Sequence, residues 1–430
     1  MSKPLKLGIA GLGTVGSGLV ELIATHGDLL ARRCGRAIEI KAVSARSRGR
    51  DRGVDLSAFR WHDDAVEMAR DDDIDVVVEL IGGEDGPAKA VVEAALSSGK
   101  HVVTANKALI ARHGTALAAM AEEAGVSLNF EAAVAGGIPI VKALREGLAG
   151  NGVSRVYGIL NGTCNYILSQ MRESGREFAD VLAEAQDLGY AEADPSFDVD
   201  GVDAAHKIAI LTSVAFGCPV DFDSVHVEGI RQISAEDIAY ADTLGYRIKL
   251  LAIASMTDHG VEQRVHPCMV ELDTPIAHVD GVFNAVVAQG DFVGRTVYEG
   301  AGAGGGPTAS AVAADVADIA RGIRLPTFSV PAGALNAVQQ AAMDRHVGSY
   351  YVRLSVLDQP GVIAEITAVL RDENISIESM LQRGRAPGEP VFVVLITHET
   401  EEAAMARALE RIGALAPVQH APVMIRIEQF

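Results

Sequence analysis

The sequence predicts an α/β fold in three successive parts, and three observations carry that reading. A glycine-rich turn joins the first strand to the first helix, and strand and helix patterns keep alternating after it. The middle of the chain switches to many short strands with few helices. The tail then follows the order β-α-β-β-α-β. The expectation is a doubly wound parallel sheet first, a mixed-sheet α+β unit second and a ferredoxin-like module last.

At 430 residues the chain is too long for one ordinary core, so two or three domains are expected. A hydrophobic content of 49% with 22% charged residues is that of a soluble globular protein. The formal net charge of −20 argues against nucleic acid or an anionic membrane as partner. Any bound anion must then be held locally, by a few placed cations or backbone amides. No apolar run is long enough to span a bilayer, and the N-terminus enters a strand without a signal-peptide pattern. Cys34, Cys164, Cys218 and Cys268 are scattered without metal-ligand spacing, which points to reduced thiols and a cytoplasmic location.

The first strand, Leu5 to Ala10, runs straight into Gly11-Leu12-Gly13-Thr14-Val15-Gly16, and a helix follows through Leu19, Val20, Leu22 and Ile23. A GxGxxG run is a weak signal alone. Closing a strand and opening a helix, it reads as the dinucleotide-binding turn of a Rossmann-type domain. Gly11 makes the tight turn, Gly13 lets the backbone approach a pyrophosphate, and Gly16 packs helix on strand. The helix N-terminus, at Thr14 and Val15, supplies amide donors to the phosphates.

The next strand, Ile38 to Val43, ends in Ser44-Ala45-Arg46-Ser47-Arg48, where an NAD-binding domain would place an acid. Arg46 suits a 2′-phosphate, so NADP(H) is preferred, with NAD(H) still usable. Asp71-Asp72-Asp73 reads as a solvated helix end. Two further strands end at Glu79 with Gly82-Gly83, and at Thr104-Ala105-Asn106-Lys107. Ligands of doubly wound sheets collect beyond the carboxyl ends of the strands, which places Lys107 where nicotinamide and substrate meet.

The strand Val126 to Phe130 leads to Glu131-Ala132-Ala133-Val134-Ala135-Gly136-Gly137-Ile138-Pro139, a turn that either holds a monovalent cation or only crosses between domains. The strand Val153 to Leu160 runs into Asn161-Gly162-Thr163-Cys164, a polar turn opening a helix. Cys164 there has the position of an activated thiol but no histidine nearby in sequence. Strands are expected over 250–255, 261–265, 268–272, 282–288 and 295–298. Gly300 to Thr308 then opens a helix over 309–321, as a hinge or as a second backbone contact to the cofactor.

The chemistry concentrates in Gly189 to Lys207. Pro195 and Gly201 keep Glu192, Asp194, Asp198 and Asp200 on irregular backbone. From Val202 the pattern is helical, and Asp203 and Lys207, four apart, share one face. On a surface such a pair is an ordinary ion pair worth a few tenths of a kcal/mol. Here the helix continues as Ile208-Ala209-Ile210-Leu211, too apolar to be mainly exposed. A lysine against such a wall, oriented by a carboxylate, reads as a proton donor.

In the tail, strands over 350–357, 375–382, 391–397 and 422–428 alternate with helices over 362–371 and 401–412. Nothing in it carries acid–base chemistry.

Taken together, Gly11 to Gly16, Thr104-Ala105-Asn106-Lys107-Ala108, Gly158 to Thr163, Gly189 to Lys207 and Gly300 to Thr308 resemble homoserine dehydrogenase in its single-activity form with a C-terminal ACT domain. The resemblance covers essentially the whole chain. It implies NAD(P)-linked interconversion of L-homoserine and L-aspartate 4-semialdehyde. It further implies that Lys207 gives the proton with Asp203 as partner, and that Glu192 binds the substrate's amino group. Asp198 lines the same pocket, and Lys107 sits between substrate and nicotinamide. By the same likeness Thr104 and Gly302 touch the cofactor. Glu131, Val134, Gly136 and Ile138 hold a structural sodium ion, three of them through main-chain carbonyls. Residues 1–133, completed by 300–345, become the nucleotide domain. Residues 134–300 become the substrate and dimerisation domain, and 349–430 the regulatory ACT domain, with threonine as its expected effector. A homodimer or homotetramer is expected.

Two rivals remain at this level. A phosphorylating semialdehyde dehydrogenase would use Cys164 as nucleophile and need phosphate. A non-catalytic sensor would bind NADPH and an amino acid, but has no use for Lys107, Glu192, Asp203 and Lys207 together.

Overall fold

The computed structural model describes residues 3–382 and 386–430. Six parallel strands form the first sheet: β1 (Leu5–Ala10), β2 (Ile38–Ser44), β3 (Arg60–His62), β4 (Val76–Glu79), β5 (His101–Thr104) and β6 (Leu128–Asn129). Helices cover both faces, so the strands are continuous apolar runs, and Val76, Val77 and Val78 are fully buried. The order is β3-β2-β1-β4-β5-β6. The winding therefore reverses between β1 and β4, and the crevice for a ligand opens at their carboxyl ends. Helix Thr14–Cys34 packs against the late helix Gly305–Arg321, in one core with β1 and β2. The chain thus returns to its first sheet after the middle part.

The middle part contributes β7 (Val153–Ile159), β8 (His226–Val227), β9 (Tyr246–Thr257), β10 (Gly260–Glu271), β11 (Phe283–Gly290) and β12 (Gly294–Ala301). The tail contributes β13 (Val347–Leu357), β14 (Ile377–Gln382), β15 (Pro390–Thr397), β16 (Thr400–Glu401) and β17 (Val423–Glu428). Three expectations change in the structure. The segments read as separate strands over 261–265 and 268–272 form the single strand β10. Its outer edge pairs with β8 at Arg264 and Val265 and with β17 from Cys268 onward. Pro267 falls in the gap between those pairings, where its missing N–H costs no ladder bond on that edge.

The tail keeps a core of its own around Tyr350, Leu354, Ile366 and Met405. It is nevertheless not a free-standing module. β17 joins β10 in parallel, so middle and tail share one eleven-stranded sheet, nine strands of it ordered β12-β11-β7-β9-β10-β17-β13-β15-β14, with β8 beside β10 and β16 beside β13. Within the tail the order β17-β13-β15-β14 is that of a ferredoxin-like sheet.

Three helices of the middle part frame the site. Helix Gly162–Ser174 follows β7, and helix Val202–Phe216 starts after Gly201, whose φ of 86° only glycine adopts freely. The latter helix is buried nearly all round, which suits a core element. Between them lies a four-residue helix, Ser196–Val199, so Asp198 sits on helical rather than irregular backbone. No helix of the described residues is long and apolar enough to cross a membrane.

Candidate active site

The fingerprint turn has the shape its glycines imply. Gly11 has a φ of 103°, and a Cβ there would lie 2.4 Å from the Leu80 carbonyl oxygen. A Cβ on Gly16 would lie 2.2 Å from the Gly11 carbonyl oxygen, while Gly13 faces open space. Packing therefore demands Gly11 and Gly16, and the surface at Gly13 is left clear for a phosphate. The first amides of helix Thr14–Cys34, from Thr14 to Gly16, have no partner within the helix. A cleft of about 850 Å³ opens beside this turn and reaches Gly305, Gly306, Arg50 and Arg52.

Arg46 lies exposed, two residues beyond β2, and does not line that cleft. Arg52 was not anticipated by the sequence reading. Its guanidinium donates to the Leu12 carbonyl (3.1 Å) and stands over the Trp61 ring, so it fastens the basic loop to the fingerprint turn.

At the ends of β4 and β5 a second network forms. The Thr104 hydroxyl donates to Glu79 Oε2 (2.5 Å) and accepts from the Asn106 amide (3.0 Å). Asn106 caps helix Lys107–Glu123 by accepting from the Leu109 amide (3.1 Å), and its Nδ2 donates to the Gly83 carbonyl (2.7 Å). Thr104 is fully buried and its hydroxyl is engaged by the protein. The cap fixes the helix start, and Lys107 is the first helical residue.

Lys107 reaches from there to helix Val202–Phe216. Its Nζ lies 2.6 Å from Asp203 Oδ1 and over the ring of Phe197. Asp203 Oδ2 accepts from Lys207 Nζ (2.8 Å), and Lys207 Nζ also donates to the Leu160 carbonyl (2.6 Å) at the end of β7. One buried carboxylate thus bridges two lysines that are 100 residues apart in the chain. Asn161 holds the arrangement from the side. Its Nδ2 donates to Asp203 Oδ2 and Asp198 Oδ1, both at 2.8 Å, while its Oδ1 caps helix Gly162–Ser174 through the Cys164 amide. The polar turn was legible in the sequence as a helix start, but this second use of Asn161 was not.

The electrostatics follow from that geometry. Burial lowers the Lys207 pKa and so does Lys107, with Asp203 opposing; the net shift is downward. Burial would raise Asp203, yet the two ammonium groups outweigh it and hold the carboxyl well below the usual range. Asp198 is raised by burial, opposed by the Asn161 hydrogen bond. His206, between Phe197 and Phe222, is pushed down to about 4 by burial and then by Lys107. It adds no positive charge near neutral pH. Lys207 uses two of its three N–H donors on protein oxygens, leaving one for a ligand.

Glu192 stays exposed on the loop, and no partner of its carboxylate occurs among the described residues. Cys164 is fully buried, its thiol donates to the Asp198 carbonyl (3.2 Å), and burial pushes its pKa well above 9.0. Such a thiol is not a nucleophile at neutral pH.

Glu131 is buried, and its two carboxylate oxygens accept from the Val141 and Lys142 amides (2.9 and 2.8 Å). Burial, and then Asp315, push its pKa up to about 7. Val134 and Gly136 are buried beside it, and among the described residues no donor reaches their carbonyl oxygens. The Ile138 carbonyl accepts from the Ile140 amide (2.8 Å). Buried free carbonyls beside a carboxylate of raised pKa are the donor set a monovalent cation would satisfy. A Cβ on Gly302 would lie 2.1 Å from Asn284 Cγ, so the Cα side of that glycine is closed by protein.

Comparison with known proteins agrees across the full length. A family model described as homoserine dehydrogenase matches residues 139–317, its NAD-binding domain matches residues 11–131, and an ACT domain model matches residues 350–414. A homoserine dehydrogenase of Neisseria gonorrhoeae is 47% identical over 434 residues, covering 100% of this chain and 99% of that one. The crystal structure of a homoserine dehydrogenase from Thiobacillus denitrificans superposes with a TM-score of 0.94 at 45% identity, covering 99% of this chain and 98% of that one. A hyperthermophilic archaeal homoserine dehydrogenase in complex with NADPH superposes with a TM-score of 0.64 at 28% identity, over 76% of this chain and 100% of that one.

Proposed function

We propose residue roles on one premise: the chain belongs to the homoserine dehydrogenase family and is an enzyme of that activity, with an NAD(P)-binding domain and an ACT domain. The reaction interconverts L-homoserine and L-aspartate 4-semialdehyde. A bound nicotinamide dinucleotide supplies or accepts the hydride. Every other task falls to groups of the protein itself.

Lys207 donates the proton to the aldehyde oxygen in reduction and takes it back in oxidation. Its one free N–H, on a group whose pKa burial has lowered, suits transfer in both directions. Asp203 orients Lys207 and keeps it charged. Lys107 adds positive potential where negative charge grows on the oxygen. Asp198 and Glu192 receive the substrate ammonium, Asp198 from a fixed position beside Asn161 and Glu192 from the exposed loop.

Gly11, Gly13, Thr14, Val15 and Gly16 cradle the pyrophosphate, and Arg46 meets the 2′-phosphate of NADP(H). Thr104 shapes the floor of that crevice, its hydroxyl held by Glu79. Gly302 contributes through its main chain, since Asn284 closes its other side. Glu131, Val134, Gly136 and Ile138 hold a sodium ion. Residues 1–133 with 300–345 serve as nucleotide domain, 134–300 as substrate and dimerisation domain and 349–430 as effector domain, with threonine as the effector. The enzyme acts in the cytoplasm as a homodimer or homotetramer.

The single observation behind the catalytic roles is the Asp203 carboxylate bridging Lys107 and a buried Lys207. The experiment is Lys207→Ala, with turnover followed at the nicotinamide absorbance and NADPH binding followed by fluorescence. Turnover is expected to fall about 10²–10⁴-fold, the usual share of a general acid, while NADPH still binds. Normal turnover in this variant would refute the assignment.

A further inference from the structure

Asp198 is held on its inner side by Asn161, but the segment that carries it is gripped from outside by a strap, residues 226–231. The Ile230 amide donates to the Val199 carbonyl (2.9 Å). Gly229 presses on the same place, since a Cβ there would lie 2.3 Å from the Val199 carbonyl oxygen. A Cβ on Gly201 would lie 3.0 Å from a methyl of Val227. Arg231 closes the clasp, donating to Asp200 through Nε (2.5 Å) and Nη2 (3.1 Å) and to the Ser196 hydroxyl (3.2 Å).

The strap is anchored in the tail. Both oxygens of Glu228 accept from Arg426 on β17, Oε1 from Nη2 (2.8 Å) and Oε2 from Nη1 (2.9 Å). Arg426 is only 2% exposed and is held in turn by Glu402, whose Oε2 accepts from Nε (3.0 Å). The Glu228 amide donates to the Val265 carbonyl on β10 (2.7 Å), beside the stretch where β17 joins that strand. A rigid run of ion pairs and backbone bonds therefore connects the last strand of the ACT domain to the segment 196–201.

We propose that Glu228 and Arg426 are positioning residues, which hold the strap against residues 196–201 and so set the affinity for the amino-acid substrate from outside the site. The inference rests on the reading of Asp198 as a substrate contact. It makes the last strand of the tail a working part of the substrate site, and any shift of β17 a change in substrate affinity.

The molecule contains its own control. A second ion pair joins the same two parts: Asp237 accepts from Arg353 Nε (2.6 Å) and Nη2 (2.9 Å) and from the Tyr351 hydroxyl (3.0 Å). Among the described residues no hydrogen bond or ion pair joins it to the strap. Steady-state kinetics of the full chain would compare Glu228→Gln, Asp237→Asn and Asp198→Asn. Glu228→Gln is expected to raise KM for L-homoserine about tenfold, within the range of coupling between sites, with kcat and KM for NADP⁺ within about twofold of the parent. Asp237→Asn is expected to lower Tm without moving KM for L-homoserine. Arg426→Lys, which keeps the charge but loses the paired geometry, should fall in between. If Glu228→Gln does not fold, the exposed Arg231→Gln loosens the same segment from the solvent side and should move KM in the same direction.

An unchanged KM in Glu228→Gln and Arg231→Gln overturns the strap, as does an equal rise in Asp237→Asn. A rise with Asp198→Asn while Glu228→Gln stays silent overturns the strap and leaves the site reading standing. The reverse pattern removes Asp198 from the substrate site and overturns the strap with it, since the premise on which it rests is gone.

Discussion

Asp203→Asn removes one negative charge from between two positive ones and leaves the shape of the site almost intact. At 2.8 Å the attraction between Asp203 and Lys207 is about 6 kcal/mol in gross terms at an effective dielectric near 20. The Lys107 pair is shorter but partly open to water, and is screened accordingly. Breaking a buried pair by removing one partner costs about 3–5 kcal/mol, because the remaining charge is left without compensation. Lys207 can escape that cost by shedding its proton. Burial and Lys107 already act to lower its pKa, and Asp203 is the first group acting to raise it. The variant should therefore hold Lys207 neutral at a pH where the parent holds it charged. In the proposed mechanism reduction of the semialdehyde takes that proton, so kcat in this direction is expected to fall about 10²–10⁴-fold near neutral pH. The loss should shrink as the pH is lowered and Lys207 is recharged. The assay is NADPH consumption from about pH 6 to about pH 9, on protein shown by circular dichroism to be folded. A kcat within about threefold of the parent, with an unshifted profile, would show that Asp203 does not sustain the Lys207 charge.

Three further outcomes are expected. Native enzyme treated with iodoacetamide should keep its turnover, because the Cys164 thiol is buried, bonded to the Asp198 carbonyl and raised in pKa. Inactivation that tracks labelling of Cys164 would revive a thiol mechanism. Glu131 has a folded pKa of about 7 against an ordinary 4.5, so its contribution to stability is present below the ordinary value and is lost as pH rises through about 7. In tetramethylammonium buffer Tm should therefore decline across that window. Sodium should restore it above pH 7 and do little below pH 4.5, where the carboxyl is protonated; equal effects of sodium and tetramethylammonium would remove the cation from Glu131. Arg46→Ala should raise KM for NADP⁺ about tenfold, equivalent to about 1.4 kcal/mol, and leave KM for NAD⁺ unchanged. Equal effects on both cofactors would take Arg46 away from the 2′-phosphate.

The fold class was legible in the sequence because its signals are local. A glycine-rich turn after Ala10, alternation of apolar strands and helices, and β-α-β-β-α-β spacing in the tail each depend on neighbours in sequence. The pairing of Asp203 with Lys207 was legible for the same reason, since four residues span one helical turn. What failed to show is what the chain brings together from a distance. Nothing around Lys107 says that its amine will meet Asp203, or that Asn161 will bond two aspartates at once. The joining of β17 to β10 is invisible because both segments read as ordinary strands, and pairing partners are fixed by packing rather than by pattern. Arg52 escaped notice for a related reason. In sequence it is one arginine in a basic loop, and only the fold sets it over Trp61 and against the fingerprint turn.

The distant contacts resolve an apparent conflict between the whole chain and its site. The protein carries a formal net charge of −20, yet its reaction builds negative charge on an aldehyde oxygen and uses an anionic cofactor. A field set by overall charge would oppose both. Lys107 and Lys207 share the Asp203 carboxylate, so these three groups keep one positive charge in excess, with Lys207 and Asp203 buried and Lys107 partly open to water. Asp198 stands beside these groups, bonded to the same Asn161 amide as Asp203. Burial raises its pKa, and its Oδ1 is engaged by Asn161. His206 stays neutral and adds nothing to it. The positive charge lies on the two ammonium groups, which the proposed roles put where hydride and proton are exchanged. On the roles proposed above, the substrate ammonium is met by Glu192 and Asp198. On those roles the charge pattern itself would orient a substrate with an ammonium at one end and a polarised carbonyl at the other.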